Sequence, residues 1–358
     1  DGFYQTGEFH LNFGWGGDCN AWYFLPAGMP EGYHIVDSGI LMIYPYYLNN
    51  RLYVDGDIAE SGMGASWSTA LKTIHEAVLI GIPNPEIWVK EGTYLLDEPL
   101  NIDCDISIYG GFAGWETQGT ERDWKNNRTV IDGQDTLRCL DNNGGELVIN
   151  GIIFVGGSSN LGGAIRNEPG SAVHIENCTF SGNTADSGGA IYNGSNAAIT
   201  NCVFSGNTAD SGGAIYNNST MTVTNCTFSG NSAFSQGGAL CNGNAATVVN
   251  TVLWGDMPNE ISNNATLTAT YSDIQGGYAG EGNIDENPGF VDLQGGNLHL
   301  LENSPCIDAG INSAPEIPEE DLDGNQRVID ADDDTIAVVD MGAYEYQVSS
   351  QFIIRASA

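Results

Sequence analysis

Asn201-Cys202-Val203-Phe204-Ser205-Gly206-Asn207 returns as Asn225-Cys226-Thr227-Phe228-Ser229-Gly230-Asn231, and an earlier copy reads Asn177-Cys178-Thr179-Phe180-Ser181-Gly182-Asn183. A second phrase alternates with it: Gly162-Gly163-Ala164-Ile165-Arg166-Asn167, then the copies starting at Gly188, Gly212 and Gly237. From Phe154 through Phe180 and Phe204 to Phe228 the intervals are 26, 24 and 24 residues. A fixed period of this length marks stacked supersecondary units, none able to bury its apolar face alone. Inside each unit apolar and polar residues alternate, the period of a strand, and no helical i, i+3, i+4 pattern appears. Strands this short pair with their own counterpart one unit on. Each unit is then one coil of a parallel β-helix, the coils about 4.8 Å apart. Phe154, Phe180, Phe204 and Phe228 are expected to pile up inside, with Cys178, Cys202 and Cys226 beside them as small apolar fillers. Asn177, Asn201, Asn225 and Asn250 fall at bends, where Asn tolerates a left-handed backbone and stacked amides bond along the column.

Composition narrows the partners. The chain has 358 residues with 46 acids against 10 bases, a net charge of −36. Between Leu140 and Leu301 the only Lys or Arg is Arg166, so no basic patch for nucleic acid or anionic membrane is expected. An acidic excess favours solubility outside the cell and attracts divalent cations. No run of about 20 apolar residues spans a membrane. The chain begins at Asp1, without Met, and reads as a piece of something longer. A monomer is expected. Among the eight cysteines no CxxC pair occurs, which disfavours a zinc ribbon.

Residues 1–48 carry no repeat and are rich in aromatics. Asp1-Gly2, then Phe9-His10-Leu11-Asn12-Phe13-Gly14-Trp15-Gly16-Gly17 and Ala21-Trp22-Tyr23-Phe24 resemble the end of a streptopain-like (C10) cysteine peptidase domain. The resemblance implies that Asn12 would orient the catalytic His and that Trp15 would line the site beside it. It also implies that the catalytic Cys and His lie upstream, so this chain alone cannot hydrolyse a peptide. His10 is read as structural. Residues 49–66 read as a linker, and Ser66 to Ile80 as an amphipathic helix capped by Ser66 or Ser68, with Leu71, Ile74, Val78 and Leu79 on one face and His75 and Glu76 in solvent. Such a helix would cover the open end of the solenoid.

Residues 67–300 are assigned to the β-helix with its cap, and 301–358 to an acidic C-terminal segment. Ile106 to Thr117, Thr129 to Gly133 and the Gly-Gly-Ala-Ile and Phe-Ser-Gly-Asn repeats resemble secreted bacterial pectin-lyase-like proteins, which implies a right-handed parallel β-helix. Asn287 to Asp292, Ser304 to Gly310, Asp321 to Arg327 and Val339 to Tyr346 resemble the C-terminal half of choice-of-anchor Q proteins, which implies export to the bacterial cell surface.

Several residues are candidates for chemistry. Asp321, Asp323 and Asn325, then Asp330, Asp332 and Asp334, alternate along the tail; they form either a calcium-binding oxygen cage or a solvated acidic loop. Tyr192 and Tyr216 recur at one period and make a candidate glycan-binding stripe. Asp186 and Asp210 also recur, within Thr-Ala-Asp-Ser-Gly-Gly, and a repeated residue reads more simply as scaffold than as catalyst. Three functions follow: a non-catalytic module that binds a polysaccharide or cell-surface glycan or acts as a spacer; the C-terminal part of a cysteine endopeptidase acting on protein; or a polysaccharide lyase or hydrolase. Apart from calcium, no cofactor is expected.

Overall fold

The computed structural model describes residues 8–11, 21–24, 50–331 and 336–347. From Arg51 to Ile274 the chain winds as a right-handed parallel β-helix, against the 67–300 expected. Strands pair with their counterparts one coil away, in three sheets of nine, 11 and seven strands. One coil shows the plan. Ser171–Glu176 lies in the first sheet, Thr179–Ser181 and Thr184–Ser187 in the second, and Ile191–Asn193 in the third.

The register is that of the repeat: Phe180 opposes Phe204, which opposes Phe228, and Ile191 opposes Ile215. The four phenyl rings form the expected column, their centroids 5.1, 4.8 and 4.6 Å apart and nearly parallel. Cys178, Cys202 and Cys226 are free, fully buried and beside that column. The thiols point at main-chain carbonyls, as in Cys202 Sγ to the Thr200 oxygen at 3.1 Å.

The bends of the coil are held by asparagine columns and by a glycine corner. At the first bend, Asn177, Asn201, Asn225 and Asn250 take the expected left-handed backbone, with φ between 49° and 55°. The Asn201 amide donates to Asn177 Oδ1 at 2.5 Å. Two further asparagine columns run through the same repeats. Asn142, Asn167, Asn193, Asn217, Asn242 and Asn263 form an unbroken chain of amide bonds, each 2.7 to 2.9 Å long. Asn183 donates to Asn207 and Asn207 to Asn231, at 3.0 and 2.9 Å. Asp256 ends that column, accepting from the Asn231 amide at 2.8 Å. Buried amides are tolerable only when bonded, and stacking supplies the partners. At the glycine corner adjacent coils nearly touch. A Cβ on Gly189 would lie 2.1 Å from the Gly213 carbonyl oxygen, so no other residue fits.

The N-terminal end differs from expectation. The helix covers only Ile74–Leu79 and is capped by Thr73, not by Ser66 or Ser68. Thr73 Oγ1 accepts from the Glu76 N–H, and the Glu76 carboxylate accepts from the Thr73 N–H, a reciprocal capping box. Glu76 is therefore engaged, and His75 pairs with Glu98 at 3.1 Å. Leu71 sits in a bridge with Val54 rather than on the helix, and Leu79 is exposed. Ile74 and Ala77 still seal the first coil, within the main core. Arg51–Val54, inside the expected linker, pairs with Glu86–Lys90 and is the outermost strand of the first sheet. Glu8–Leu11 and Ala21–Phe24 pair antiparallel. Asn12 and Trp15, the peptidase-like positions, lie outside the described residues.

Beyond Ile274 the parallel stack stops. Phe290–Asp292 and Asn297–Leu300 form an antiparallel ribbon, and the chain then doubles back along the outer face of the second sheet. This strap buries Val203 under Leu322 and Ala343, and Val252 under Leu300 and Met341. It is clamped by the first asparagine column. Asn250 both donates to and accepts from the Ile311 backbone, and Asn225 donates to the Asp340 carbonyl at 3.1 Å. Arg327, wholly buried, donates to Asn201 Oδ1, to the Gly342 and Ala343 carbonyls and to Glu345.

Phe204 is one of the two inner rings of the column and has a neighbour on each face. Phe204→Ala is expected to lower stability by about 3–5 kcal/mol, a cost that neighbouring coils cannot relieve by collapsing. Denaturant unfolding followed by circular dichroism measures this; a loss below about 1 kcal/mol would show that the column does not organise the core.

Candidate functional site

A shallow groove of about 710 Å³ lies on the outside of the solenoid, across Thr184–Ser187, Thr208–Ser211, Ser232–Gln236 and the end of the long strand Ile152–Leu161. The Thr-Ala-Asp-Ser phrase explains it. Alternation turns Ala185 and Ala209 inward, where both are buried, and turns Thr184, Asp186, Thr208 and Asp210 outward, where all are exposed. The flanking pairs Ala185–Ala209 and Ser187–Ser211 bring Asp186 and Asp210 into one column. Asn160 occupies the coil below; in the coil above the register shifts, so that Phe234 and Ser235 together face Asp210, and Phe234 lines the groove.

Like charges at equivalent positions of paired strands repel, and neither carboxylate has a hydrogen-bond or ion-pair partner among the described residues. Phe234 is 89% exposed, the most exposed large apolar side chain among the described residues, and it lines the groove. Among the described residues no Lys, Arg or His lines the groove.

Tyr192 and Tyr216 do stack, with ring centroids 5.6 Å apart and planes within 8°. In-register pairing turns one face of each ring onto the other, so the pair does not offer two free faces to a sugar ring. Arg166 precedes them in the same outer column of the third sheet. It is neutralised by Asp141 and Glu168, each at 2.8 Å, while Asp141 also holds Arg138.

Asp321 and Asp323 point in different directions. Asp321 is buried, and its carboxylate accepts from the Asp323, Asn325 and Glu345 N–H groups and from the Asn325 amide. It closes a tight internal turn. Asp323 turns away to His299 Nε2 at 2.5 Å. Asp330 follows the short strand Val328–Ile329, and Asp332 and Asp334 lie outside the described residues. Among the described residues no three His, Cys, Asp or Glu side chains are grouped to hold a metal ion. No described helix is long and apolar enough to cross a membrane.

Of the groove residues, sequence reasoning weighed only Asp186 and Asp210, as scaffold rather than catalyst. The groove and the exposed Phe234 beside it became visible only with the structure. A family model described as "Rhamnogalacturonase A/epimerase, pectate lyase-like" matches residues 82–263, just over half of the chain and all of the groove. No curated protein matches the chain.

The strap carries titrating groups that act in one direction. His299 stacks on Tyr344, and both ring nitrogens face acceptors, Asn297 Oδ1 at 2.6 Å and Asp323 Oδ2, an arrangement that fits imidazolium. The Asp323 bond raises the His299 pKa above its ordinary 6.5, against partial burial. Burial, and then the Asp340 charge, push Glu345 up to about 9, with Arg327 opposing. The folded state thus holds protons on both groups that the unfolded chain releases at lower pH. The Glu345 contribution is full below about 4.5 and is lost by about 9; that of His299 is full below about 6.5 and fades as pH rises above it. Strap protection, read by amide hydrogen exchange at Leu322 and Met341 after correction for intrinsic rates, is expected to fall between pH 5 and pH 9. Protection that rises with pH would reverse this assignment.

Proposed function

The chain belongs to the rhamnogalacturonase A/epimerase, pectate-lyase-like family, and from that footing we propose that it is a polysaccharide-binding β-helix whose ligand lies along the outer groove of Asp186, Asp210 and Phe234. The observation that carries this reading is Phe234. An exposed aromatic ring set beside outward carboxylates, hydroxyls and an amide is the composition that packs on a sugar face and bonds its hydroxyls. The groove runs from coil to coil, so an extended polymer meets a repeated set of contacts. The Tyr192–Tyr216 edge lies on the neighbouring sheet and contributes a phenol hydroxyl row rather than a platform.

A second reading has one observation in its favour. Carboxylates one coil apart, about 4.8 Å by strand spacing, approach the separation of a retaining glycosidase pair. Binding is favoured over cleavage because the two acids occupy the same slot of a repeat. Hydrolysis asks one carboxyl to stay protonated and its partner to stay ionised, which requires unlike surroundings. Lyase chemistry asks for a base, and the groove lining contains no basic side chain.

Phe234→Ala is expected to weaken retention on immobilised polysaccharide by about tenfold while changing stability by less than about 0.5 kcal/mol, since the ring is solvent-exposed. Affinity electrophoresis across a glycan panel reads the first quantity and thermal unfolding the second. Retention indifferent to Phe234 would remove the groove as the binding face. Reducing ends released by the wild type and lost in Asp186→Asn would establish the cleavage reading instead.

A further inference from the structure

We infer that Asp256 keeps a proton and donates it to Glu260, and that this shared proton latches the turn 255–260 over the open edge of the strand that carries Phe234. The column of Asn183, Asn207 and Asn231 has a direction: each amide donates to the oxygen of the residue one coil on. Asp256 takes the next place, its Oδ1 accepting from both the amide and the N–H of Asn231, at 2.8 and 2.6 Å. Where each asparagine has a donor amide, Asp256 has Oδ2. Glu260 stands where a further asparagine would. Its Oε1 accepts from the Asp256 N–H at 3.1 Å, as Asn207 Oδ1 accepts from the Asn183 N–H. Asp256 Oδ2 and Glu260 Oε2 are both buried, and neither has a donor among the described residues. The two side chains lie within hydrogen-bonding reach of each other. Two oxygens that can only accept would repel there; one proton between them makes the contact a bond and completes the column.

The pair anchors this turn. Asp256 and Glu260 are 5% and 4% exposed, whereas Gly255, Met257, Pro258 and Asn259 face solvent. The turn covers Ser232–Gln236, the outermost strand on its side of the second sheet. The Ala233 N–H donates to the Met257 carbonyl at 2.7 Å and the Met257 N–H to the Asn231 carbonyl at 2.9 Å. The Gly238, Ala239 and Leu240 N–H groups donate to the carbonyls of Asn259 and Glu260. No base offsets the buried acids: among the described residues neither carboxylate has an ion-pair partner. The Asn231 amide below is neutral, and so is Gln275 of the next coil, which accepts from the Gly255 N–H. Asp273 of that coil is bonded to Cys306 under the strap. Burial raises both acids above their ordinary 3.8 and 4.5; the Glu260 charge adds to this at Asp256, where Asn231 opposes it, and donors from Asp256 and Gly255 oppose it at Glu260. The folded turn thus holds a proton that the unfolded chain releases at those ordinary values. Its stabilisation is full below them and is lost as pH rises through the higher folded value. The proton then leaves to water, and two carboxylates face each other out of solvent.

Amide hydrogen exchange of the full chain in EDTA, corrected for intrinsic rates, reads the latch between pH 5 and pH 9. Wild-type protection at Ala233 and Met257 is expected to fall by about tenfold over that interval. Asp256→Asn puts a permanent Nδ2 donor in the place of Oδ2 and is expected to keep protection at its acid-side level throughout. Glu260→Gln supplies the donor from the other side and is expected to do the same. Wild-type protection at these two amides that ignores pH overturns the inference, as does either folded variant that keeps the wild-type slope. A variant that flattens the slope at Leu322 of the strap as much as at Ala233 also overturns it, because the effect would then be global. Protection restored at pH 9 when calcium replaces EDTA would make the pair a cation site instead.

Discussion

Parallel, in-register pairing sets every side chain against its own copy about 4.8 Å away, and the rest of the molecule answers to that constraint. An inward residue must tolerate itself as a neighbour. Phenyl rings meet this by stacking, amides by bonding head to tail, thiols by pointing at carbonyls, and glycine by leaving room for the next coil. A charged residue meets it poorly, so many acids of the coils are turned outward, and buried ones are held by a base or by N–H and amide donors, as Asp141 is by Arg138 and Asp256 by Asn231.

The same constraint decides what could be read from the sequence. Phe204 and Asn201 were legible because recurrence plus alternation fixes both inward placement and the bend. Asn193 and Asn207 recur just as strictly, yet an asparagine beside glycine resembles an ordinary turn residue, so their columns became visible only with the register. The capping helix was overextended because Leu71 fits helical spacing, although Thr73 and Glu76 spell a capping box three residues apart. The strap has no repeat to betray it, and its bonds join residues such as Trp124 and Leu322 that lie 198 positions apart. Its one trace in the sequence is the apolar Val203 and Val252 at a slot that should face water.

For the site, recurrence tells which residues stack and not what they do. Tyr192 and Tyr216 share a column, and the register turns one face of each ring onto the other. Asp186 and Asp210 share a column too, and the same recurrence describes a scaffold slot and a binding slot alike.

A solenoid in which each coil touches only its neighbours should fray from its ends, one turn at a time. The strap changes that. Through Trp124, Asn201, Asn225 and Asn250 it fastens several coils at once, three of them consecutive and one farther off, and Arg327 anchors it in a site closed to water. It acts as a splint laid along a stack of plates. Opening one inner plate then requires lifting a rod that also grips the others, so this half of the solenoid resists peeling and yields as one block.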